Sequence, residues 1–269
     1  MPPASCTRSA TPRSPGADVA GLPRAVLCVQ HQDDCPPGYV GQRLAELGAE
    51  IDVVDARQGR LPDPRAYDLV VSLGSDDSAH DDAVPYLSPE RGVLETAIRA
   101  EIPVFGICFG AQLLSRVLGG SVAPMPAGPE IGWLAVQSDD PDLIDAGPWL
   151  IWHLDAMTVP PGAVALAWTG RSTQAFAAGR SVGVQFHPEV SIASAQIWAA
   201  RYGSHLGALG IDSGALLDEI RVRDSETRRR AHELTDRVLK RLGFAALEDA
   251  GAGNAVPARF RSGSSGTSK

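Results

Sequence analysis

Pro103-Val104-Phe105-Gly106-Ile107-Cys108-Phe109-Gly110-Ala111-Gln112 is the stretch from which the fold of this chain is read. Its first half is apolar without polar alternation, the pattern of a strand buried on both faces. From Gly110 to Leu118 the apolar residues recur at helical spacing, and Gly119-Gly120 ends the run. Cys108 stands where strand hands over to helix, flanked by Gly106 and Gly110. Such a turn is strained and needs small neighbours so that the backbone can close around the side chain. A helix N-terminus beneath a thiol favours the thiolate, through unpaired N–H groups and the positive dipole end. Taken alone, Cys108 reads equally well as a nucleophile or as a small core residue.

Working outward, the same alternation recurs. Strands are expected at residues 25–29, 51–54 and 69–73, and helices at 39–47, stopped by Gly48, and at 89–100, opened by Pro89. Strand and helix in this order imply right-handed crossovers and a parallel sheet covered on both faces. Further on, strands at 133–136, 163–168, 173–177 and 182–186 follow one another across Pro/Gly-rich turns, which predicts an antiparallel extension. A helix at 191–205 closes the core. Residues 213–242 read as an amphipathic helix or helix pair, with Leu216, Leu217, Ile220, Val222, Leu234, Val238 and Leu242 as the apolar positions. The fold class is α/β. Residues 1–22, rich in Pro, Ser and Ala, and 249–269, rich in Gly, Ser and Ala, are expected to be disordered. Between them lie a domain at 23–208 and a helical appendage at 209–248.

Composition narrows the function. The 269 residues carry 24 Lys plus Arg against 32 Asp plus Glu, a net charge of −8, which argues against a general nucleic-acid binder. No run approaches the ~18 apolar residues of a membrane helix, and the first twenty residues hold no apolar segment of a secretory signal. Cys6, Cys28, Cys35 and Cys108 form neither a disulfide framework nor a metal-ligand spacing. His31, with Gln32-Asp33-Asp34, has no converging ligands at recognised spacing either, so no metal is expected. A reduced, cytoplasmic protein fits these features.

Downstream, Gly183-Val184-Gln185-Phe186-His187-Pro188-Glu189 delivers a histidine at the end of an apolar strand, with a carboxylate two positions later. A cysteine nucleophile needs a base, and the base needs an acceptor on its second ring nitrogen. Alone, His187 reads as a structural histidine and Glu189 as a solvated charge. Beside the Cys108 turn, the three read together as a Cys108-His187-Glu189 triad at the C-terminal edge of the sheet, where α/β folds place their sites.

These two segments closely resemble the class I (triad) glutamine amidotransferases, and among them the free-standing guanosine monophosphate synthetase-like members. The resemblance runs from about residue 25 to 202 and includes Val70-Val71-Ser72-Leu73-Gly74, Trp152-His153-Leu154-Asp155 and Thr173-Gln174-Ala175-Phe176. It implies a flavodoxin-like, mostly parallel sheet with an antiparallel extension. It also implies attack of Cys108 on the glutamine side-chain amide, with His187 protonating the departing ammonia and water hydrolysing the glutamyl thioester. By the same resemblance, backbone N–H groups of Gly74 and Phe109 hold the oxyanion. Gln112 holds the substrate's amino-acid end, and Trp152 and His153 lie on a loop near the glutamine pocket.

One departure is visible: Gly74-Ser75-Asp76-Asp77 stands where many members carry a Gly/Pro-rich oxyanion loop. Carboxylates there would raise the cost of forming a thiolate. No cofactor is expected, since the chain has no phosphate-binding loop of the Gly-x-x-x-x-Gly-Lys type. Ammonia would then go to a separate ATP-dependent synthetase or acceptor protein. The alternatives are a stand-alone hydrolase of a γ-glutamyl amide and a non-catalytic binding protein on the same fold.

Overall fold

In the computed structural model of the protein, residues 21–245 and the short segment 260–262 are described. Four parallel strands form the first half of the sheet: β1 (Ala25–Gln30), β2 (Glu50–Asp55), β3 (Leu69–Ser72) and β4 (Val104–Ile107). Helices α1 (Gly38–Glu46), α2 (Leu87–Arg99) and α3 (Phe109–Val117) connect or follow them. After α3 come β5 (Val122–Pro124), β6 (Glu130–Leu134), β7 (Gln137–Ser138), β8 (Trp149–His153) and β9 (Asp155–Met157). The chain then returns to the main sheet with β10 (Val164–Trp168), β11 (Thr173–Ala178) and β12 (Ser181–Val184), and continues into α4 (Ile192–Ala208) and α5 (Ser213–Arg241).

With β13 (Phe260–Ser262) the main sheet has the order β13-β2-β1-β3-β4-β12-β11-β10-β7. Pairing is parallel from β13 to β12 and antiparallel from β12 to β7. The expected flavodoxin-like sheet with an antiparallel extension is therefore present. The strand order reverses around β1 and β3, and the C-terminal ends of such strands are where ligands bind in open α/β sheets.

Alternation along β1 shows why the sheet is covered on both faces. Val26 and Cys28 join a core with Val40 and Leu44 of α1 and Leu234, Val238 and Leu239 of α5. Leu27 and Val29 join the opposite core with Leu94 and Ala97 of α2 and Leu113 and Leu114 of α3. Successive strand residues point to opposite faces, so one run of apolar residues serves two cores. The segment read as a helical appendage is thus, in its second half, part of the main core. It is one 29-residue helix, started by Asp212, whose side chain accepts from the N–H groups of Gly214 and Ala215. Its arginines pair mainly along the helix, as Arg229 does with Glu226 and Glu233, while Arg228 reaches Glu46 and Arg230 reaches Asp145.

Three differences from the sequence reading stand out. The strand expected at 133–136 is β6, lying at 130–134 and paired antiparallel with β8. Trp152 and His153, expected on a loop, end β8. The expected disordered tail at 249–269 includes β13, which lies parallel to β2 with Phe260 opposite Ile51. The remaining tail residues and residues 1–20 lie outside the described residues.

Candidate active site

Cys108 has φ 51° and ψ −107°, a left-handed backbone conformation that side chains other than glycine rarely adopt. The two glycines around it are there for space. A Cβ on Gly110 would lie 2.1 Å from the Ser72 carbonyl oxygen, and one on Gly106 would lie 2.7 Å from the Gly110 carbonyl oxygen. The Gly110 N–H donates to the Leu73 carbonyl at 3.1 Å, joining the turn to the end of β3. Cys108 is only 5% exposed and opens onto a cavity of about 260 Å³. Gln112, Trp152, His187, Trp198 and Tyr202 also line that cavity.

The structure brings His187 and Glu189 to Cys108. His187 Nδ1 donates to Glu189 Oε1 at 2.7 Å, and His187 Nε2 donates to the Trp152 carbonyl at 3.2 Å. With Glu189 ionised both partners accept, an arrangement that suits a doubly protonated ring. Burial disfavours that charge, yet Glu189 and the Cys108 sulfur more than compensate and hold the His187 pKa well above the usual value of 6.5. The Trp152 carbonyl is shared, since Cys108 Sγ lies 3.9 Å from it. Gly38 and Tyr39 seat the segment carrying Glu189: the Tyr39 N–H donates to the Glu189 carbonyl at 2.9 Å, and a Cβ on Gly38 would collide with that oxygen.

Gly74 lies against both reactive side chains, because a Cβ built on it would be 3.2 Å from His187 Cε1 and 3.8 Å from Cys108 Cβ. Among the described residues, the N–H groups of Gly74 and of Phe109 have no protein acceptor. Two unpaired donors beside a buried thiol are what an oxyanion site needs. The carboxylates that the sequence places after Gly74 are held by tyrosines: Asp76 accepts from Tyr202 at 3.1 Å and Asp77 from Tyr86 at 2.6 Å.

Gln112 reaches the cavity, but its Nε2 donates to the Asp155 carbonyl and to Gln185 Oε1, both at 3.1 Å. Only its carbonyl oxygen is left for a ligand's donor. His153 also borders the cavity, yet Nδ1 faces the Asp155 carbonyl at 2.9 Å and Nε2 faces Glu130 at 3.3 Å. Burial raises the Glu130 carboxyl pKa, but hydrogen bonds from His153, Ser172 and Thr169 outweigh this and bring it down to about 2. His153 therefore belongs to a buried polar cluster at the cavity wall.

Several residues at the site escaped the sequence reading. Gln185 donates to Cys108 Sγ at 3.6 Å, and Gly38 and Tyr39 support Glu189. Gln185 carried a signal, as a polar residue in the otherwise apolar strand before His187. Cys35, read as a loop thiol, is buried on the cavity wall, and burial pushes its pKa up. Cys28 is core, its thiol raised to about 12 by burial. Among the described residues no three His, Cys, Asp or Glu side chains converge to hold a metal ion, and no helix is long and apolar enough to cross a membrane.

A sequence model of the glutamine amidotransferase class-I family matches residues 39–197. A GMP synthase (glutamine-hydrolysing) of Prochlorococcus marinus is 34% identical over 174 residues, covering 55% of this chain and 31% of that protein. One from Aeropyrum pernix is 36% identical over 167 residues, covering 56% and 30%. The chain thus spans about a third of the length of these curated relatives. Among solved structures, a glutamine amidotransferase from Thermotoga maritima superposes with a TM-score of 0.74 at 30% identity, covering 81% of this chain and 98% of that one. A second, from Methylobacillus flagellatus, shares the fold with a TM-score of 0.73 at 23% identity. The family match covers more than half of the chain, from the helix that seats Glu189 through the Cys108 turn to the helix after His187, and the protein belongs to the class I glutamine amidotransferases.

Proposed function

We propose that this protein hydrolyses the side-chain amide of glutamine through a Cys108-His187-Glu189 triad and supplies the ammonia to a separate synthetase. The observation that carries the reading is the doubly donating His187 ring, held between Glu189 and the Trp152 carbonyl beside a thiol on a strained turn. The Cys108 thiolate attacks the amide carbon, and the developing oxyanion takes the N–H groups of Gly74 and Phe109. His187 gives its Nε2 proton to the leaving nitrogen, ammonia departs, and a glutamyl thioester remains. Water then loses a proton to His187 as it attacks the thioester, releasing glutamate and restoring the thiolate. Glu189 holds the ring in place and stabilises its charge. Removing a single oxyanion donor typically costs on the order of 10²–10³ in rate. In this scheme residues 23–208 carry the amidotransferase unit and 209–248 its helical extension. Gln112 offers its carbonyl oxygen to the substrate's ammonium, while Trp152 and His153 shape the pocket. No cofactor takes part.

A second substrate class is favoured by one observation. The aromatic side chains of Trp152, Trp198 and Tyr202 on the cavity wall suit an amine substituent larger than ammonia. The test is direct: ammonia release from glutamine and amine release from γ-glutamylated amines are measured side by side, with and without candidate synthetases. Turnover on glutamine that rises with a synthetase supports ammonia supply. High unassisted turnover on a γ-glutamyl amine, with negligible turnover on glutamine, selects the stand-alone hydrolase.

A further inference from the structure

His31 and Glu90 form a fully buried ionic pair that the triad does not use. His31 follows β1, is 1% exposed, and donates from Nε2 to Glu90 Oε2 at 2.6 Å. Its Nδ1 donates to the Gly74 carbonyl at 3.0 Å. The other Glu90 oxygen accepts from Ser72 Oγ at 2.6 Å. With Glu90 ionised, both nitrogens of His31 face acceptors, an arrangement that suits a doubly protonated ring. Burial works against this charge, while Glu90, the Gly74 carbonyl and, more remotely, Asp55 of β2 support it. The Tyr86 ring packs against His31 at 5.0 Å and the Phe109 ring at 4.7 Å.

An ion pair taken entirely out of water is weak evidence for stability, because well-packed apolar residues of similar volume are often as stable. What this pair touches is more informative. His31 holds the carbonyl of Gly74 and packs, tilted, against the ring of Phe109; among the described residues the N–H groups of Gly74 and Phe109 have no protein acceptor. The chain before Gly74 is already anchored, since the Leu73 N–H donates to Val29 and its carbonyl accepts from Gly110, both at 3.1 Å. Glycine has no side chain to restrict its own backbone. On the following side the His31 hydrogen bond holds the Gly74 carbonyl itself, while Ser75 and Asp76 are held by Tyr86 and Gln32.

Resting on the hydrolase reading above, we propose that His31, kept charged by Glu90, is a positioning residue that aligns the Gly74 and Phe109 donors for the transition state. It does not touch the substrate. Glu90→Gln preserves shape and an acceptor for His31 but removes the charge, whereas Glu90→Asp keeps the charge and leaves a methylene-sized void.

The experiment measures kcat and KM for amide hydrolysis, on whichever of glutamine or a γ-glutamyl amide the wild-type protein turns over, together with the rate of Cys108 alkylation by iodoacetamide. Alkylation requires the thiolate but no oxyanion donors. The expected result is a kcat for Glu90→Gln lowered at least tenfold, toward the ~10²-fold that misplacing a reacting group costs. KM and the alkylation rate should stay within about threefold, and Glu90→Asp should retain more kcat than Glu90→Gln. Should Glu90→Gln not fold, Ser72→Ala, which removes only the donor to Glu90, is expected to lower kcat in the same selective way. Unchanged kcat, parallel loss of kcat and alkylation, or an Asp variant worse than Gln would each overturn the proposal, since they indicate no role or a purely structural one. A wild-type protein that releases nothing from either substrate class would overturn the hydrolase reading itself, and this inference with it.

Discussion

At the scale of single residues, charge and space are matched around Cys108. Its sulfur, the His187 ring and Glu189 lie in a line in which each member is buried. Among the described residues Glu189 Oε2 has no hydrogen-bond partner, and His187 is the partner of Oε1. Cys108→Ser is expected to lose about 10³-fold or more of amide hydrolysis at unchanged melting temperature. His187→Ala should be nearly as damaging, and Glu189→Gln roughly 10²-fold milder, because the orienting member of a triad usually contributes less. Steady-state kinetics on the three variants check this, and a Cys108→Ser variant within tenfold of wild type would remove the nucleophile. Gly74→Ala should lower kcat with little effect on stability, since the new methyl would press on His187 Cε1 at 3.2 Å. Equal kcat for Gly74→Ala and wild type would show that this contact yields freely. That Cys108, His187 and Glu189 come together was readable from the chain, because each sits in a short motif with its own turn chemistry. The Gln185, Tyr39 and Gly38 contacts were not, because they depend on which elements meet across the sheet.

At the scale of elements, three strand ends and one turn build the site. β3 leads to Gly74, β4 to Cys108 and β12 to His187, all at the same edge of the sheet. The buried strands were legible because continuous apolar runs of four to six residues have few other uses. The short strands β5, β7 and β9 were not, since two or three residues show no period. β8 was missed for a different reason: its Trp152-His153 end was read for chemistry and not for its apolar run Trp149-Leu150-Ile151-Trp152. α3 packs closely against β3 at Gly110. Gly110→Ala would place a methyl 2.1 Å from the Ser72 carbonyl, which must move. Its expected cost is ~1–3 kcal/mol or more from overpacking, read as a lowered urea midpoint, and hydrolysis should fall with it as the Cys108 turn shifts. A variant as stable as wild type would mean that the β3–α3 contact is looser than described.

At the scale of the whole molecule, buried ionisable groups set a pH window for stability. His187 and His31 have raised pKa values in the folded protein, where burial is outweighed by the partners Glu189 and Cys108 in one case and Glu90 in the other. Between the ordinary histidine value of 6.5 and the raised value, the folded state binds more protons than the unfolded one. Their contribution is therefore complete below 6.5 and is lost as pH rises through the folded-state values. Glu130 acts in the opposite sense: its pKa of about 2 gives stability that is present above 4.5 and lost as pH falls toward 2. Melting temperature is expected to peak between about 4.5 and 6.5, where all three contributions are present. Thermal melts from pH 3 to 9 at constant ionic strength check this, and a maximum well above neutral would contradict it. The acidic balance of the chain was legible from composition, but which few of its charges are buried and paired was not.

In the proposed mechanism, amide hydrolysis passes through a glutamyl thioester on Cys108. Mass spectrometry of protein mixed with substrate and quenched in acid within milliseconds tests it most directly. A single glutamyl group on the peptide containing Cys108, absent from Cys108→Ser, is the predicted result. Release of ammonia or amine with no such adduct, and at the same rate from Cys108→Ser, would contradict it.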